Sequence, residues 1–352
     1  MRVGLVSPYD LGVPGGVQDQ VLRIAGWLRE SGHEAVVVGP GTDGPDDVVL
    51  LGPSTAVAAN RSTAQVRLDP TVGRRLAAAL ADVDVIHVHE PLVPAVSPAA
   101  LRVDGPAKVA TFHADPTRWV RRLYRYGRSG IRLALRPAGV TTAVSPVAGS
   151  AIDGVVDYRI IPNGIALEGF ATGPKVPGRV AFLGRDDERK GLPVLLDAWR
   201  RVRETLPDAT LAVLGASRAE PIEGVRFFGR VGDDAKQSEL AAAAVFCAPN
   251  LGSESFGITL AEAMASGCAI VASAIPAFEH VAGADARFVE PGRVDELAAA
   301  IIDVVGDPEE TARLGAAAVQ RVQRFDGRTV TAQYIHAYED AVALRRHGSP
   351  GF

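Results

Sequence analysis

The sequence predicts two doubly wound α/β domains, each a parallel sheet wrapped by helices, and three observations predict it. Short β-branched runs alternate with amphipathic helical stretches, the alternation that builds a parallel sheet. The pattern stops in a stretch rich in Gly and Pro, residues 164–178, and then restarts. The 352 residues, 47% of them hydrophobic, suffice for two cores of ordinary size.

In order along the first half, strands are predicted at residues 3–7, 35–39, 83–88, 109–112 and 141–145. In the second half they fall at 180–184, 210–215, 225–228, 245–248 and 269–272. The end of the chain reads as helical, divided into segments by Pro308, Gly315 and Gly327. The predicted organisation is a first domain at 1–165, a linker at 166–178, a second domain at 179–328, and a C-terminal helix at 329–352 that returns to the first domain. Ligands of such sheets bind beyond the carboxyl ends of the strands, so a cleft between the two domains is the expected site.

Charge excludes some functions. With 37 basic and 41 acidic residues, neither a generally basic nucleic-acid binder nor an acidic disordered tail is expected. The first 177 residues carry a net +2 and the remainder −6. Cys247 and Cys268 lack metal-ligand spacing and cannot form a disulfide framework, which suits a reducing cytoplasm. No charged leader precedes the first strand and no run of about 18 apolar residues occurs, so neither secretion nor membrane spanning is expected.

Three segments carry chemistry. The first strand leads through Gly12-Val13-Pro14-Gly15-Gly16 into a helix, where paired glycines let backbone amides approach a ligand or simply make a tight turn. The strand ending at Gly184 is followed by Arg185 and, five residues later, Lys190; two such cations can clamp phosphates or serve a salt-bridged loop with Asp186, Asp187 and Glu188. The third segment, from Glu254 to Gly267, places Glu254 before a helix and Glu262 on it among Leu260, Ala261, Ala263 and Met264. A carboxylate in such surroundings needs hydrogen-bond donors, and sugar hydroxyls are suitable ones. The helix start near Phe256 and Gly257 can receive a diphosphate.

Together, the Gly15-Gly16 loop, Gly184-Arg185 with Lys190, and the Glu254/Glu262 pair resemble the retaining GT-B glycosyltransferases, which use nucleotide sugars. The segment from Met1 to Tyr9, His87-Val88-His89-Glu90-Pro91, Ala110-Thr111-Phe112-His113 and Ile161-Pro162-Asn163-Gly164 are similar to the phosphatidylinositol mannosyltransferases of actinobacteria. The resemblance implies a retaining hexosyltransferase moving mannose from GDP-mannose to phosphatidylinositol or a related inositol phosphate. It implies that Arg185 and Lys190 hold the donor diphosphate, Glu254 the hexose hydroxyls and Glu262 the ribose. Gly15, Gly16 and the backbone from Ser255 through Phe256 and Gly257 to Ile258 would line the donor. His113 would face donor sugar and acceptor, and Tyr9, Asn60, Thr63 and Arg67 would line the acceptor pocket. The implied place of work is the inner face of the plasma membrane, as a peripheral protein.

The chain also departs from that pattern. The loop between Arg185 and Lys190 is one residue shorter and lacks the family's Pro, and Asp115 adds an acid after Phe112-His113. The family's basic docking helix is represented only by Arg74 and Arg75. Instead, seven arginines from Arg118 to Arg136, with no intervening acid, fall within about a third of a helical circumference beside Trp119, Tyr124 and Tyr126. That stripe reads either as an anionic-membrane surface or as a solvated face, and Gly127 and Gly130 can break it.

Asp82-Val83-Asp84 has metal-motif spacing but precedes a buried strand in the first domain, and His87 and His89 alternate on one strand face with no third ligand, so no metal and no cofactor are expected. Since no nucleophilic carboxylate stands out for the opposite sugar face, front-face attack is expected, with the leaving diphosphate accepting the acceptor proton. Other readings of the same residues are a different nucleotide-sugar donor with a soluble or different lipid acceptor, a nucleotide-sugar epimerase, and a non-catalytic membrane-surface binder.

Overall fold

The computed structural model describes the chain except residues 60, 61, 68, 70, 171 and 348–352, and except the side chains at 57–59, 62–64 and 118. Two of the expected acceptor residues, Asn60 and the side chain of Thr63, therefore lie outside the described residues, as does the side chain of Arg118. The chain forms two units, Met1–Gly164 with Gly327–Phe352, and Ile165–Asp326.

The first unit holds a seven-stranded parallel sheet. From one edge to the other its strands are Val48–Leu50, Glu34–Gly39, Arg2–Val6, Val85–His89, Ala107–Phe112, Val140–Ala143 and Arg159–Ile160. The order reverses between Arg2–Val6 and Val85–His89, which pair in parallel. A doubly wound sheet has its ligand crevice beyond the carboxyl ends at that point. Both strands are buried on both faces, as a helix-covered parallel sheet requires. The short edge strands and the antiparallel hairpin Thr55–Ala59/Ser62–Val66 were not predicted, because runs of two to five residues leave little periodicity to read.

The closing helix, Gly327–Arg346, belongs to this unit. Trp27 explains how it seats: a Cβ on Gly164 would lie 2.5 Å from the indole, and one on Gly327 2.1 Å, so only glycines admit the ring at both chain crossings. Gln20 fixes the first crossing through both amide groups of Gly164, at 2.9 and 3.0 Å. Farther along the helix, the Tyr338 hydroxyl meets His87 Nδ1 at 2.8 Å.

The second unit repeats the architecture with six parallel strands, in the order Val225–Gly229, Thr210–Leu214, Val176–Leu183, Ala243–Ala248, Ala269–Ser273 and Arg287–Val289. Its reversal lies between Val176–Leu183 and Ala243–Ala248. Phe182, Leu195, Trp199, Val213, Val245 and Ile301 fill its core. Val176 already belongs to a strand, so the segment expected as a linker, 166–178, is part of this unit. Gly315 does not divide the helical end of the chain as expected. It lies within helix Pro308–Val322, where a Cβ would sit 2.5 Å from the Gly267 carbonyl oxygen, so it serves close packing. Pro308 does start that helix, capped by Asp307, whose carboxylate accepts from the amides of Glu309 and Glu310 at 3.1 and 3.0 Å.

Candidate functional site

At the reversal point of the second sheet, two loops are stitched together. Arg189 donates Nε to Asp187 at 2.8 Å and Nη1 to the Ser253 carbonyl at 3.0 Å, while the Leu251 amide bonds the Arg189 carbonyl at 2.8 Å. Gly191 allows this proximity: it has φ of +70°, and a Cβ there would lie 1.9 Å from the Pro249 oxygen. The shortened loop thus delivers Lys190 Nζ to Glu254 Oε2 at 2.7 Å, where Asn250 Nδ2 also donates at 3.1 Å. Arg185 is exposed just past the strand end.

Glu254 and the next three residues lead to helix Ile258–Ala265 through Gly257, whose φ of +95° suits glycine alone among ordinary residues. Phe256 is buried, edge-on to Phe325 at 5.2 Å, which anchors the loop whose amides open the helix. Glu262 lies one turn inside and is 5% exposed. Its buried charge is met by Lys236 Nζ at 2.9 Å, and the same ammonium reaches Asp233 at 3.0 Å. Burial works against the Lys236 charge, but Glu262 and Asp233 together raise its pKa above the ordinary value.

The reversal point of the first sheet carries a second cluster. Glu90 ends strand Val85–His89 at a φ of +47° and is buried, and its Oε1 accepts the amides of His113 and Ala114 at 2.7 and 2.6 Å. This joins the ends of two neighbouring strands. Burial raises the Glu90 pKa, and those two amides pull it back. His113 Nε2 lies 2.8 Å from His89 Nδ1, with the rings stacked at 5.0 Å. Burial lowers the pKa of His113 to about 4, and the Asn163 side chain pulls the other way. Its Nδ1 is buried without a hydrogen-bond partner, as is His89 Nε2. Tyr9 sits near the same carboxylate: burial, then the charge of Glu90, drive its phenol well above the ordinary range.

Family models match both units: Glycosyltransferase Family 4 over residues 14–168, and Glycosyl transferases group 1 over 177–307. The phosphatidyl-myo-inositol mannosyltransferase of Mycolicibacterium smegmatis is 38% identical, over 96% of this chain and 94% of its own. That of Mycobacterium tuberculosis is 36% identical, over 96% and 97%. The chain belongs to the phosphatidyl-myo-inositol mannosyltransferase family. It is a hexosyltransferase with the GT-B architecture, whose fold it shares with the sucrose-phosphate synthase of Thermosynechococcus elongatus at a TM-score of 0.72, 20% identity, and coverage of 97% and 99%.

In this member of the mannosyltransferase family, Arg185, Lys190 and Glu254 lie at the carboxyl end of the second sheet with Glu262 on the helix that follows, whereas Gly15 and Gly16 belong to the first unit, and two partners of the former group are not legible in the sequence. Lys236 and Asn250 contact Glu262 and Glu254 across 26 and 4 residues, and neither has a motif around it. In the sequence, Glu90 and Asn163 stand out only as parts of the resembling segments. Gly15 is the N-cap of helix Gly16–Glu30 without a side-chain bond, and a Cβ there would meet the Gln18 side-chain amide oxygen at 2.5 Å. Arg67 follows Val66, which bridges Tyr9, but its guanidinium is engaged by Asp69 and by the Pro53 carbonyl at 3.1 Å, with Nε buried and unpartnered. Asp84 accepts the Arg2 amide at 2.8 Å, and the His87 ring nitrogens are taken by Tyr338 and Thr111, so these side chains are occupied structurally.

The arginine stripe is also altered. Gly127 separates helix Arg118–Tyr126 from helix Arg128–Leu135, Arg121 pairs with Asp115 at 2.5 Å, and Arg132 donates to the Val155 carbonyl at 2.6 Å. Asp115, the acid that departs from the family pattern, therefore restrains an arginine. Among the described residues, no helix is long and apolar enough to cross a membrane.

Proposed function

We propose that this chain transfers mannose from GDP-mannose, with retention, to the inositol ring of phosphatidylinositol, working as a peripheral protein at the cytoplasmic face of the plasma membrane. The observation that carries the donor half is the Lys190–Glu254 pair beside exposed Arg185 at the reversal point of the second sheet. A departing nucleoside diphosphate develops negative charge, and Arg185, Lys190 and the amides opening helix Ile258–Ala265 supply the matching positive field. When phosphate draws Lys190 away, Glu254 is left with acceptor oxygens for hexose hydroxyls. Glu262, paired with Lys236, accepts from the ribose.

The acceptor half rests on the identity to the mannosyltransferases and on the cluster of Tyr9, Glu90 and His113. His113 is neutral at physiological pH, so its unpartnered Nδ1 can exchange one hydrogen bond with a substrate hydroxyl without adding charge. Arg67 binds the inositol phosphate only by giving up Asp69. Retention follows by front-face attack, with the leaving diphosphate taking the proton of the attacking hydroxyl, and no metal takes part.

The test incubates the purified chain with GDP-mannose, UDP-glucose and other sugar nucleotides against phosphatidylinositol, inositol phosphate and a lipid extract, with products read by mass spectrometry. Mannosyl-phosphatidylinositol, formed equally in the presence of EDTA, is expected. Transfer only from a uridine donor, only to a soluble acceptor, or only with added divalent metal overturns the corresponding part.

A further inference from the structure

Helix Arg118–Tyr126 is amphipathic in the wrong sense for a helix on a folded core. Trp119, Leu123 and Tyr126 follow the i, i+4, i+7 spacing that ordinarily faces inward, yet they are 67%, 56% and 80% exposed. They project from about 60° of the helix circumference at 100° per residue. Leu133, seven residues beyond Tyr126 on the next helix, is 68% exposed as well. An apolar ridge of this kind on the described surface calls for something that covers it.

The charges beside the ridge narrow what that is. Arg122 and Arg125 flank it on one side and Arg128 follows, all exposed, and none of the three makes an ion pair among the described residues. The sequence has no carboxylate between Asp115 and Asp153. A second copy of the chain would set these arginines against their own like charges, whereas an anionic bilayer neutralises them while its acyl region receives the ridge. The opposite face of the helix turns toward the acceptor cluster: burial and then the Glu90 charge push the Tyr124 phenol up to about 12.

We propose that Trp119, Leu123 and Tyr126 insert into the headgroup–acyl boundary of an anionic membrane, with Arg122, Arg125 and Arg128 reading its lipid phosphates, so that the helix docks the acceptor end of the first sheet onto the lipid surface. The inference deepens the lipid-acceptor reading above and rests on it. It places the anchoring on the apolar ridge rather than on the arginine stripe as a whole, since Arg121 and Arg132 are committed elsewhere.

The protein carries its own probe. Of its three tryptophans, Trp27 and Trp199 are 4% and 1% exposed, so only Trp119 can change environment without unfolding. Full-length protein is titrated with phosphatidylcholine vesicles with and without phosphatidylinositol, following emission, acrylamide quenching and co-sedimentation. A blue shift and protection from quenching are expected on phosphatidylinositol vesicles, and both vanish in Trp119→Phe. A Leu123→Ser/Tyr126→Ser variant should partition about tenfold more weakly. An Arg122→Ser/Arg125→Ser/Arg128→Ser variant should lose the preference for the anionic lipid, and wild-type binding should weaken with salt. Vesicle binding with unchanged Trp119 emission overturns the proposal, because another surface then docks. So does a Trp119 shift that follows protein concentration without lipid, which gives the ridge to a second copy. Wild type that binds through Trp119 yet makes no mannosylated inositol lipid supports the ridge and sinks the acceptor instead.

Discussion

Lys190 Nζ stands 2.7 Å from Glu254 Oε2, and the two residues come from different loops at the carboxyl ends of adjacent parallel strands. The loop cation is held by the carboxylate proposed to bind hexose. In the proposed reading donor binding exchanges partners, with phosphate replacing Glu254 at Lys190 and sugar hydroxyls replacing Lys190 at Glu254.

Arg185→Ala and Lys190→Ala should each lower turnover, on the order of 10²-fold for Arg185, by removing charge that stabilises the leaving diphosphate. Steady-state kinetics on folded variants check this, and undiminished turnover in both rejects the phosphate clamp.

Glu262→Gln should weaken binding of the free nucleoside diphosphate, while Glu254→Gln should weaken binding of the intact sugar nucleotide far more than that of the diphosphate. Calorimetry with both ligands separates the roles, and equal effects on the two would erase the division. Lys236→Met leaves the Glu262 charge buried without its cation and should cost about 3 kcal/mol of stability, read as a lowered denaturant midpoint.

Glu90→Ala removes the acceptor that ties the amides of His113 and Ala114, so His113 should lose its fixed position and kcat should fall about tenfold with donor affinity unchanged. Glu90→Gln keeps a carbonyl oxygen for the same two amides and should retain most of the rate. If the two variants lose equally, the carboxylate charge matters rather than its geometry.

Stability should decline in mild acid. Burial holds His113 near a pKa of about 4 and His87 near about 3, against about 6.5 in an unfolded chain. Between pH 6.5 and about 4 the unfolded chain takes up protons that the folded one refuses. The folded state then loses roughly 1.4 kcal/mol per pH unit for each such histidine. Glu90, with its raised pKa, works in the opposite direction by taking up a proton more readily when folded, and so offsets part of the loss. Urea midpoints at pH 7 and pH 5 should differ accordingly; a flat profile would mean the histidines are not buried in solution.

The sequence by itself determined the two parallel sheets and singled out the segments proposed to bind the donor. Buried central strands such as Ala243–Ala248 are continuously apolar, and Glu254, Glu262 and Arg185 lie in segments whose local pattern singles them out. Tertiary structure alone decided who meets whom. Lys236 reaches Glu262 only after its helix docks, and Trp27 seats against Gly164 and Gly327 only once both chain crossings have formed. It also decided which way Trp119, Leu123 and Tyr126 face. Helical periodicity specifies that these three share a face, but whether that face meets core or solvent depends on what the opposite face packs against, and that partner is set by the fold rather than by the spacing.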